Sequence, residues 1–426
     1  MNRLRVLFCD HLSLARGKYL SGGKRAGGES RLCQGTYAVT YCKDLIPTPG
    51  GSLLDGLNDL VLRFDDAEAR ASWQADTDVV IADQFFDHGA PLDMCGRGLL
   101  KRTVSAWQQK GLTPKVGIEL EAFAFELDED GKLQPYDTPG AYVYGTGSMI
   151  DPLGFTDDIW ARAVELGFPL ESLTSEFDSP QFEFTLTYED AVKAVDDMFL
   201  FRLLAREVAL EHGILLTFMP KPIAELGGSG LHVNFSFVDE NGENVILDAA
   251  AEYGLSDVAR GAVAGLMHHH RGMAGLIAPT VNSYQRLQPA SLSGFWRNWG
   301  FDHRGVTVRI ANESKASARI EHRMGDAASN PYTLVSTVLQ CALLGVENDY
   351  ELAAPESQDC LEGQDTDISV PPNLSEALDA LEADSVLVDA VGELLVANHI
   401  GIKRAEVEKL EGLDDTAARD YYIYYV

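Results

Sequence analysis

Positive charge is scarce in this sequence. Its 34 lysines and arginines stand against 65 aspartates and glutamates, which gives a formal net charge of -31 at pH 7. The phosphates of a nucleic acid and the headgroups of an anionic membrane would repel such a chain, so neither is expected as a partner. The excess of carboxylates favours solubility and attracts cations.

Long apolar runs and paired cysteines are also missing. No apolar segment has the length needed to cross a bilayer, and residues 1–9 are too short and too basic for a signal peptide. The six cysteines contain no CxxC pair and no close cluster, a pattern that favours a reducing compartment over a disulfide framework. We therefore expect a cytoplasmic protein with no membrane partner.

Two familiar nucleotide-binding signatures are absent as well. There is no GxxxxGK[ST] motif and no GxGxxG after a predicted strand, which disfavours P-loop and Rossmann sites. The run GGSG at 227–230 does precede a predicted strand. Its glycines would let the backbone approach a ligand closely, although four small residues also form an ordinary turn.

The first part of the chain is rich in strand patterns. They lie at 4–9, 36–42, 59–64 and 78–83, and a Gly-rich basic segment at 16–28 is predicted to be a loop. This spacing indicates a small β-rich N-terminal domain of about a hundred residues. With 426 residues the chain is long enough for a second, larger domain.

The rest of the chain mixes helices and strands. Helical patterns are predicted at 98–110, 189–212, 247–278, 374–399 and 401–411. A Gly stop after the second of these is followed by a strand pattern at 214–219. Residues 128–154, rich in Gly, Pro, Asp and Tyr, are predicted to form a long loop, and long loops of compact domains are often functional.

Three consecutive histidines, 268–270, fall inside a predicted helix. Successive residues point in different directions around a helix, so the three cannot share one metal ion. A structural or surface role is therefore favoured over a ligand role.

One strand pattern carries two glutamates on the same face. Residues 117–126 (GIELEAFAFE) form an apolar, aromatic run that predicts a buried strand, in which Glu119 and Glu121 share a face. Two buried carboxylates on one face repel each other, and a divalent cation held by oxygen ligands would compensate their charge. The alternative is a solvated edge strand with both glutamates exposed.

Two later strands also carry a polar face. In 231–237 (LHVNFSF) the polar residues His232, Asn234 and Ser236 alternate with apolar residues that predict a core face. The segment 318–323 (ARIEHR) places three charged side chains on one face in the same way: Arg319, Glu321 and Arg323. His232 taken alone would more often be a core histidine.

Two further glutamates flank a turn. Glu176 and Glu183 are seven residues apart, a separation that would put them on opposite faces of a flat strand. The Asp-Ser-Pro turn at 178–180 would be able to fold both inward.

Together these segments supply a set of ligands suited to hard divalent cations: Glu119, Glu121, Glu176, Glu183, Glu321 and His232. Arginines would supply the opposite charge: Arg286, Arg304, Arg309, Arg319 and Arg323. Carboxylates with metal ions on one side and arginines on the other are what phosphoryl transfer from a nucleotide to a carboxylate needs. Each motif alone is weak, because an isolated arginine is more often a surface or ion-pair residue.

In order and spacing, these stretches resemble the glutamine synthetase family. The matching segments are 117–126, 175–184 (SEFDSPQFEF), 217–222 (TFMPKP), 227–237 (GGSGLHVNFSF), 278–289 (APTVNSYQRLQP), 299–310 (WGFDHRGVTVRI) and 318–332 (ARIEHRMGDAASNPY).

The resemblance implies an α+β fold with two domains. Residues 1–105 would form a small N-terminal β-grasp domain. Residues 106–426 would form a large catalytic domain with an incomplete antiparallel β-barrel flanked by helices. Family members assemble as stacked rings in which the neighbour's N-terminal domain completes each active site, so a homo-oligomer is expected.

The resemblance also implies roles for the site residues. One Mg²⁺ or Mn²⁺ would be held by Glu121, Glu176 and Glu183. Another would be held by Glu119, His232 and Glu321, with two or three ions in each site. The amino-acid substrate would be bound by Gly228, Arg286 and Arg323. The contacts to the nucleotide would be Asn234, Ser236, Arg309 and Arg319. The residues expected to be catalytic are Arg304, at the transferred phosphoryl group, and Glu321.

The implied reaction uses ATP as co-substrate and has two steps. ATP phosphorylates the γ-carboxylate of glutamate or a related acid, and an amine then displaces phosphate to give a γ-glutamyl amide and ADP. All reactants are small molecules.

Three positions depart from the family pattern. Ammonia-using members carry a glutamate a few residues after the NSYxRL motif, whereas the loop 289–294 here reads PASLSG. Gly227 stands where an asparagine usually begins NGSGxH, and the family's N-terminal aspartate has only a loose counterpart in Asp44. Loss of negative groups weakens the capture of ammonium and leaves room for a larger amine.

The sequence leaves three hypotheses. The first is an ATP-dependent ligase that joins glutamate, or a related acid, to an organic amine. The second is an ammonia-using glutamine synthetase whose ammonium site is built from other residues, such as the 136–148 loop. The third is a catalytically inactive sensor or scaffold, and the presence of all six metal-ligand positions argues against it.

Overall fold

The structure is a computed structural model, and it describes residues 3–53, 56–138 and 140–426. Positions 1, 2, 54 and 55 of the predicted N-terminal domain lie outside the described residues, as does position 139 of the predicted 128–154 loop. The described part folds into sheets and helices of mixed α+β class, which confirms the predicted fold class.

Residues 3–86 form two small sheets. Their strands are β1 (Arg3–Cys9), β2 (Ala15–Ser21), β3 (Glu29–Cys33), β4 (Asp59–Arg63), β5 (Arg70–Ala71), β6 (Thr77–Ile81) and β7 (Asp83–Phe86). One sheet has the strand order β2-β1-β6-β5 and the other the order β3-β4-β7. Strand β1 runs antiparallel to β2 and parallel to β6.

Two predictions for this region are wrong. The segment 36–42 is not a strand, because Gln34–Ala38 forms a 3-10 helix and Tyr37 is buried with its hydroxyl donating to Gln84 Oε1 (2.6 Å). The predicted loop 16–28 contains β2 and a short helix, α1 (Gly22–Arg25). Strand β2 lies at the edge of its sheet without a buried residue, so its sequence lacks the apolar alternation of an internal strand.

A nine-stranded sheet carries the polar faces predicted from the sequence. Its strands are β8 (Thr113–Leu127), β9 (Leu133–Pro135), β10 (Leu170–Ser175), β11 (Gln181–Asp190), β12 (Leu215–Thr217), β13 (Leu231–Val238), β14 (Trp299–Phe301), β15 (Val308–Ala311) and β16 (Arg319–His322). The order is β10-β11-β8-β13-β16-β15-β14, and β9 and β12 also pair with β8. All pairs are antiparallel except β14 with β15, and the sheet does not close into a barrel.

Strand β8 lies inside this sheet, between β11 and β13. Ile118, Leu120 and Ala122 are buried, whereas Glu119 and Glu121 alternate with them and are half-buried. The predicted alternation is therefore confirmed, and the edge-strand alternative is wrong.

The helices pack around the sheets. They are α2 (Gly96–Gln109), α3 (Phe155–Glu165), α4 (Ala191–Glu211), α5 (Asp257–His268), α6 (His270–Ile277), α7 (Ser283–Arg286), α8 (Pro331–Glu347), α9 (Leu374–Ala383), α10 (Ser385–Val391), α11 (Glu393–Leu410) and α12 (Asp415–Tyr422). Helix α4 packs against β8, β11 and β12, and α8 is mostly buried against α2 and α5. The predicted division at residues 105 and 106 falls within α2 and stays a prediction.

The three consecutive histidines lie at a break between α5 and α6 and have three different environments. The ring of His268 stacks on Tyr350 with 3.8 Å between centroids. His269 Nδ1 lies 2.7 Å from Asp384 Oδ2, and His270 Nε2 lies 3.4 Å from the carbonyl oxygen of Phe295. These separate contacts agree with the structural role favoured by the sequence.

No single helix among the described residues has the length and apolar character to cross a bilayer. Helices α10 and α11 reach that length and composition only as a pair, across a bend of 108°.

Candidate active site

A cavity of about 690 Å³ opens on the polar face of the nine-stranded sheet. The predicted site residues that line it are Glu119, Glu121, Glu176, Glu183, Gly228, His232, Arg286, Arg304 and Arg323. Chain segments 143–144, 176–178, 225–228 and 290–293 contribute further lining residues. One cavity thus collects side chains that lie up to about two hundred residues apart in the sequence.

The first carboxylate cluster consists of Glu119, His232 and Glu321, and strand pairing brings it together. Glu119 lies opposite His232 in the β8–β13 pair, and Glu321 lies on the adjacent strand β16. Nδ1 of His232 is 3.1 Å from Glu119 Oε2 and 3.6 Å from Glu321 Oε1. One ligand atom of each residue lies within 4.8 Å of those of the other two, a spacing that fits one metal ion.

The chain itself supplies counter-charges to the first cluster. Arg309 Nη1 donates to Glu321 Oε2 (2.8 Å), and Arg323 Nη1 donates to Glu321 Oε1. Asn234 Nδ2 donates to Glu119 Oε1 (3.0 Å). Burial raises the pKa of Glu119 and of Glu321, but these contacts and His232 outweigh it, so both pKa values lie below the ordinary range of a glutamate.

The second carboxylate cluster consists of Glu121, Glu176 and Glu183. Glu121 lies opposite Glu183 in the β8–β11 pair, and the turn between β10 and β11 brings Glu176 to the same face, as predicted. The ligand atoms of the three again lie within 4.8 Å of one another. Glu121 Oε2 accepts hydrogen bonds from the Gly230 N–H (2.7 Å) and from Gln181 Nε2 (3.3 Å).

The second cluster is electrostatically strained. Burial and repulsion from Glu119, Glu121 and Glu176 raise the pKa of Glu183 to about 8, and burial and repulsion also raise the pKa of Glu176. A hard divalent cation between these oxygens would offset the repulsion. Donor types and spacing in both clusters therefore fit Mg²⁺ or Mn²⁺.

The predicted arginines differ in how far they are engaged. Arg286 is buried, and its two η nitrogens donate to the carbonyl oxygens of residues 323–325 at 2.8–3.2 Å. Arg323 Nη2 donates to the Leu292 carbonyl oxygen (3.3 Å), while its Nε is buried without a partner among the described residues. Arg304 is exposed at the cavity and makes no hydrogen bond or ion pair with the described residues.

Three of the predicted nucleotide contacts lie elsewhere. Asn234, Ser236 and Arg319 line a separate cavity of about 60 Å³, where Arg319 Nε donates to Asn234 Oδ1 (3.1 Å). Asn234 bonds to Glu119 as well, so it connects this small cavity to the first cluster. The fourth, Arg309, joins Glu321 to Asp302, whose Oδ1 accepts from Arg309 Nη2 (2.9 Å).

The structure shows why glycine occupies positions in the run 227–230. A Cβ on Gly228 would lie 2.6 Å from the carbonyl oxygen of Pro220 and 2.6 Å from Arg286 Cγ, so only glycine fits. The N–H of Gly227 donates to Asp178 Oδ2 (2.5 Å), and a Cβ there would lie 3.0 Å from that oxygen. These glycines let the backbone approach other protein groups closely, whereas the predicted close approach to a ligand stays a prediction.

Sequence reasoning missed three charged residues of the cavity: Asp178, Lys221 and Glu225. Burial lowers the pKa of Lys221, and its Nζ donates to the Leu226 carbonyl oxygen. For Asp178 and Lys221 the available signal was their position inside the matching segments 175–184 and 217–222, whereas Glu225 lies outside them. Asp44, the loose counterpart of the N-terminal aspartate, instead pairs with Lys409 (2.9 Å).

Comparison with known proteins places this site in a family. The family model "Glutamine synthetase, catalytic domain" matches residues 93–422. A glutamine synthetase of Halobacterium salinarum is 33% identical over 328 residues, which are 74% of this chain and 70% of that protein. A glutamine synthetase of Methanococcus maripaludis is 34% identical over 341 residues, which are 77% of this chain and 74% of that protein.

Solved structures agree with this match. The structure "Apo GmaS without ligand" superposes with a TM-score of 0.84 at 27% identity and covers 99% of this chain and 97% of its own. The structure "GmaS/ADP complex-Conformation 1" has a TM-score of 0.85 at the same identity and the same coverage. The chain therefore belongs to the glutamine synthetase family of ATP- and divalent-metal-dependent ligases, which act on small molecules.

Proposed function

We propose that this chain is an ATP-dependent ligase that joins glutamate, or a related acid, to an organic amine. The observation that carries the proposal is the loop 289–294, which lines the cavity through residues 290–293 and brings no carboxylate to it. Binding of a bare ammonium ion depends on counter-charge, because the ion loses its hydration on entry. An amine with an organic substituent gains apolar contacts in addition.

The similarity to GmaS supports an amine as the second substrate. GmaS is a gamma-glutamylmethylamide synthetase. Its structures match this chain over nearly the whole length of both proteins.

We assign the two carboxylate clusters to divalent cations. Bound there, the cations would neutralise the phosphates of ATP and the charge that develops on the transferred group. The chain's own donors to the nucleotide would be Asn234, Ser236, Arg309 and Arg319, the residues in and beside the small cavity.

In the first step an oxygen of the γ-carboxylate attacks the γ-phosphorus of ATP, and ADP leaves. Arg304, which lines the cavity and has no hydrogen bond or ion pair within the described residues, would stabilise charge on the transferred phosphoryl group. Arg323, through its unpartnered Nε, would bind a carboxylate of the amino acid. Arg286 is committed to backbone carbonyls, so its proposed contribution is to hold the segment that carries Arg323.

In the second step the amine nitrogen attacks the carbonyl carbon of the γ-glutamyl phosphate. The bond from carbon to the phosphate oxygen breaks, inorganic phosphate leaves, and the nitrogen gives up a proton to a carboxylate of the cavity. The products are a γ-glutamyl amide, ADP and phosphate.

An ammonia-using glutamine synthetase is the second candidate. The two curated relatives described above carry that name. Asp178 and Glu225, which line the same cavity, would then replace the missing loop glutamate. The stacked-ring homo-oligomer and the cytoplasmic location stay predictions under either candidate.

The deciding experiment supplies ATP, Mg²⁺ and glutamate with either ammonium or a set of primary amines. Phosphate release and the mass of the product are measured. We expect amide formation with amines at a kcat/KM well above that for ammonia. Robust phosphate release with ammonia alone would support the second candidate, and no ADP with any nucleophile would support the inactive alternative.

A loop variant sharpens this test. Ser291→Glu returns a carboxylate to the 289–294 loop and should raise the kcat/KM for ammonium relative to amines. Ser291→Gln is the matched control, because it has the same size without the charge and should leave the ratio unchanged.

A further inference from the structure

The exposed residues that line the cavity include a group of apolar side chains, beside the polar or charged Glu225, Ser291 and Arg304. Five lining side chains form an apolar rim: Val143, Tyr144, Phe177, Leu292 and Leu361. All five are exposed, and the exposed fraction reaches 80% for Phe177 and 66% for Tyr144. Apolar side chains gathered at the mouth of a polar cavity indicate a binding surface, since single exposed apolar residues are normally scattered.

The two aromatic residues of the apolar rim are anchored beside Glu176. The Phe177 N–H donates to Glu176 Oε2 (3.2 Å). The Tyr144 N–H donates to the carbonyl oxygen of Ser175 (3.0 Å), and the Gly145 N–H donates to Ser175 Oγ (2.9 Å). Both rings therefore belong to segments that are hydrogen-bonded at the end of β10, directly before or at the predicted metal ligand Glu176.

Leu292, in the apolar rim, has an unfavourable backbone conformation. Its φ is 54° and that of Ala290 is 58°, in the left-handed region that side chains other than Gly, Asn and Asp rarely adopt. The carbonyl oxygen of Leu292 accepts from Arg323 Nη2 (3.3 Å), which ties this loop to the site. A leucine that is both strained and 44% exposed contributes little to the stability of the fold, so we expect its role to be in ligand binding.

We infer that the amine substrate carries an apolar hydrocarbon substituent, alkyl or aryl, which the apolar rim covers while the nitrogen reaches the carboxylates of the cavity. The inference rests on the proposed function, because it requires an amine as the second substrate. A hydroxyl or second ammonium group at the far end of the amine would be placed against apolar side chains and would lose hydration without a partner. The apolar rim therefore selects against hydroxylated amines and diamines.

Three amines with five heavy atoms each test this selection: n-butylamine, 3-aminopropan-1-ol and 1,3-diaminopropane. They differ only in the terminal methyl, hydroxyl or amino group. We expect the kcat/KM for n-butylamine to exceed those for the other two by about tenfold or more. Along a series from methylamine to n-hexylamine, kcat/KM should rise by about threefold to fourfold per methylene until the apolar rim is covered.

Two variants locate the selection. Leu292→Asn keeps a residue that tolerates the left-handed backbone but removes the apolar group, and Phe177→Ser removes the most exposed ring. Each should lower the kcat/KM for n-butylamine about tenfold, leave that for 3-aminopropan-1-ol within about twofold, and leave the KM values for glutamate and ATP unchanged. Leu413→Asn is the matched control, a leucine of similar exposure (49%) that does not line the cavity, and it should change none of these.

The possible outcomes separate the inference from the proposed function. Equal kcat/KM for the three amines, with amide formed from each, would overturn the inference and leave the proposed function standing. Amide formation from ammonia alone would overturn the proposed function. A third outcome is that the variants lose the same fraction of activity with every amine and change the oligomer mass measured by light scattering. This result would show that a second copy of the chain covers the apolar rim, and it would also overturn the inference.

Discussion

Two carboxylate clusters reach the same cavity, the first through Glu119 and His232 and the second through Glu121, Glu176 and Glu183, but their charges are balanced unequally within the described residues. In the first cluster Glu321 accepts from Arg309 and Arg323, and its pKa lies below the ordinary range. In the second, the carboxylate of Glu183 has no hydrogen bond or ion pair within the described residues, and its pKa is raised to about 8. The protein therefore supplies counter-charges to the first cluster, whereas Glu183 in the second has none within the described residues, and a bound cation would offset its repulsion.

A metal-dependent site must hold its ligands in position and must also leave ligand oxygens free to bind the ion, and here the two clusters differ in how they meet these requirements. Contacts within the protein hold the first cluster in place and also position the arginines. The second cluster keeps unpaired oxygens available, which favours binding of a hard cation but destabilises the metal-free fold. Substitutions in each cluster and the pH dependence of Mg²⁺ binding test this contrast.

The largest effect is expected from replacing one glutamate in each cluster. Glu321→Gln removes the carboxylate that pairs with the buried Arg323 and the half-buried Arg309, so the free energy of unfolding in EDTA should fall by about 3–5 kcal/mol. Glu183→Gln replaces a carboxyl that is mostly protonated at neutral pH in metal-free protein, so its effect should stay within about 0.5 kcal/mol. Urea unfolding measures both.

Both variants should lose metal-dependent ADP formation, because each removes a proposed metal ligand. Activity alone therefore does not distinguish the clusters, and stability in EDTA does. Equal destabilisation by the two substitutions would contradict the contrast. If both variants still formed ADP, the assignment of these glutamates as metal ligands would be wrong.

Arg304 belongs to neither cluster, and its substitution tests whether an arginine without an ion pair in the described residues acts in catalysis rather than in stability. Because it has no partner among the described residues, Arg304→Ala should leave the urea midpoint unchanged. If it stabilises the transferred phosphoryl group, kcat for ADP formation should fall by about 100- to 1000-fold. Arg309→Ala is the comparison, since it should lower stability as well through the loss of its bond to Glu321.

Added Mg²⁺ should stabilise the protein, and increasingly so as the pH rises. The pKa of Glu183 is about 8 in the folded chain and 4.5 for the ordinary group, so the metal-free fold loses stability as the pH rises from 4.5 to 8. Below pH 8 a cation must also displace this proton. Between pH 6.5 and pH 8.5 the stabilisation by saturating Mg²⁺ should therefore grow by about 2 kcal/mol.

Thermal unfolding with Mg²⁺ or EDTA at the two pH values measures this effect. In Glu183→Gln the pH dependence of the Mg²⁺ effect should disappear. A pH-independent gain in the wild-type chain would mean that another group carries the proton.

The contrast between the clusters could be predicted from the sequence only in part. Alternation in 117–126 and 231–237 fixed which glutamates and which histidine share a face, because side chains of a strand alternate strictly. Which arginine pairs with which carboxylate depends on strand order and register, which place β16 beside β13 and Glu321 opposite Arg309. These long-range relations leave no local pattern.

Other misses have the same cause. Edge strand β2 and the 3-10 helix at Gln34–Ala38 owe their conformations to neighbours rather than to local propensity. The apolar rim combines residues from four separate segments, and the small cavity with Asn234, Ser236 and Arg319 forms only when β13 and β16 pair. The motifs taken together predicted which residues gather at the site, whereas the hydrogen-bond and ion-pair partners of those residues depend on the fold.

The smallest expected effect concerns two side-chain amides, one beside each cluster. Asn234 Nδ2 donates to Glu119 and its Oδ1 accepts from Arg319, while Gln181 Nε2 donates to Glu121 (3.3 Å) and to the Gly228 carbonyl oxygen (3.0 Å). Replacing either by Ala should lower the free energy of unfolding by about 1 kcal/mol, since each removes a donor from a half-buried carboxylate. Only Asn234→Ala should also raise the KM for ATP severalfold, because Asn234 orients the proposed nucleotide contact Arg319. If Gln181→Ala raised the KM for ATP equally, nucleotide binding would depend on both clusters. The proposal that only the first cluster contributes to nucleotide binding would then be wrong.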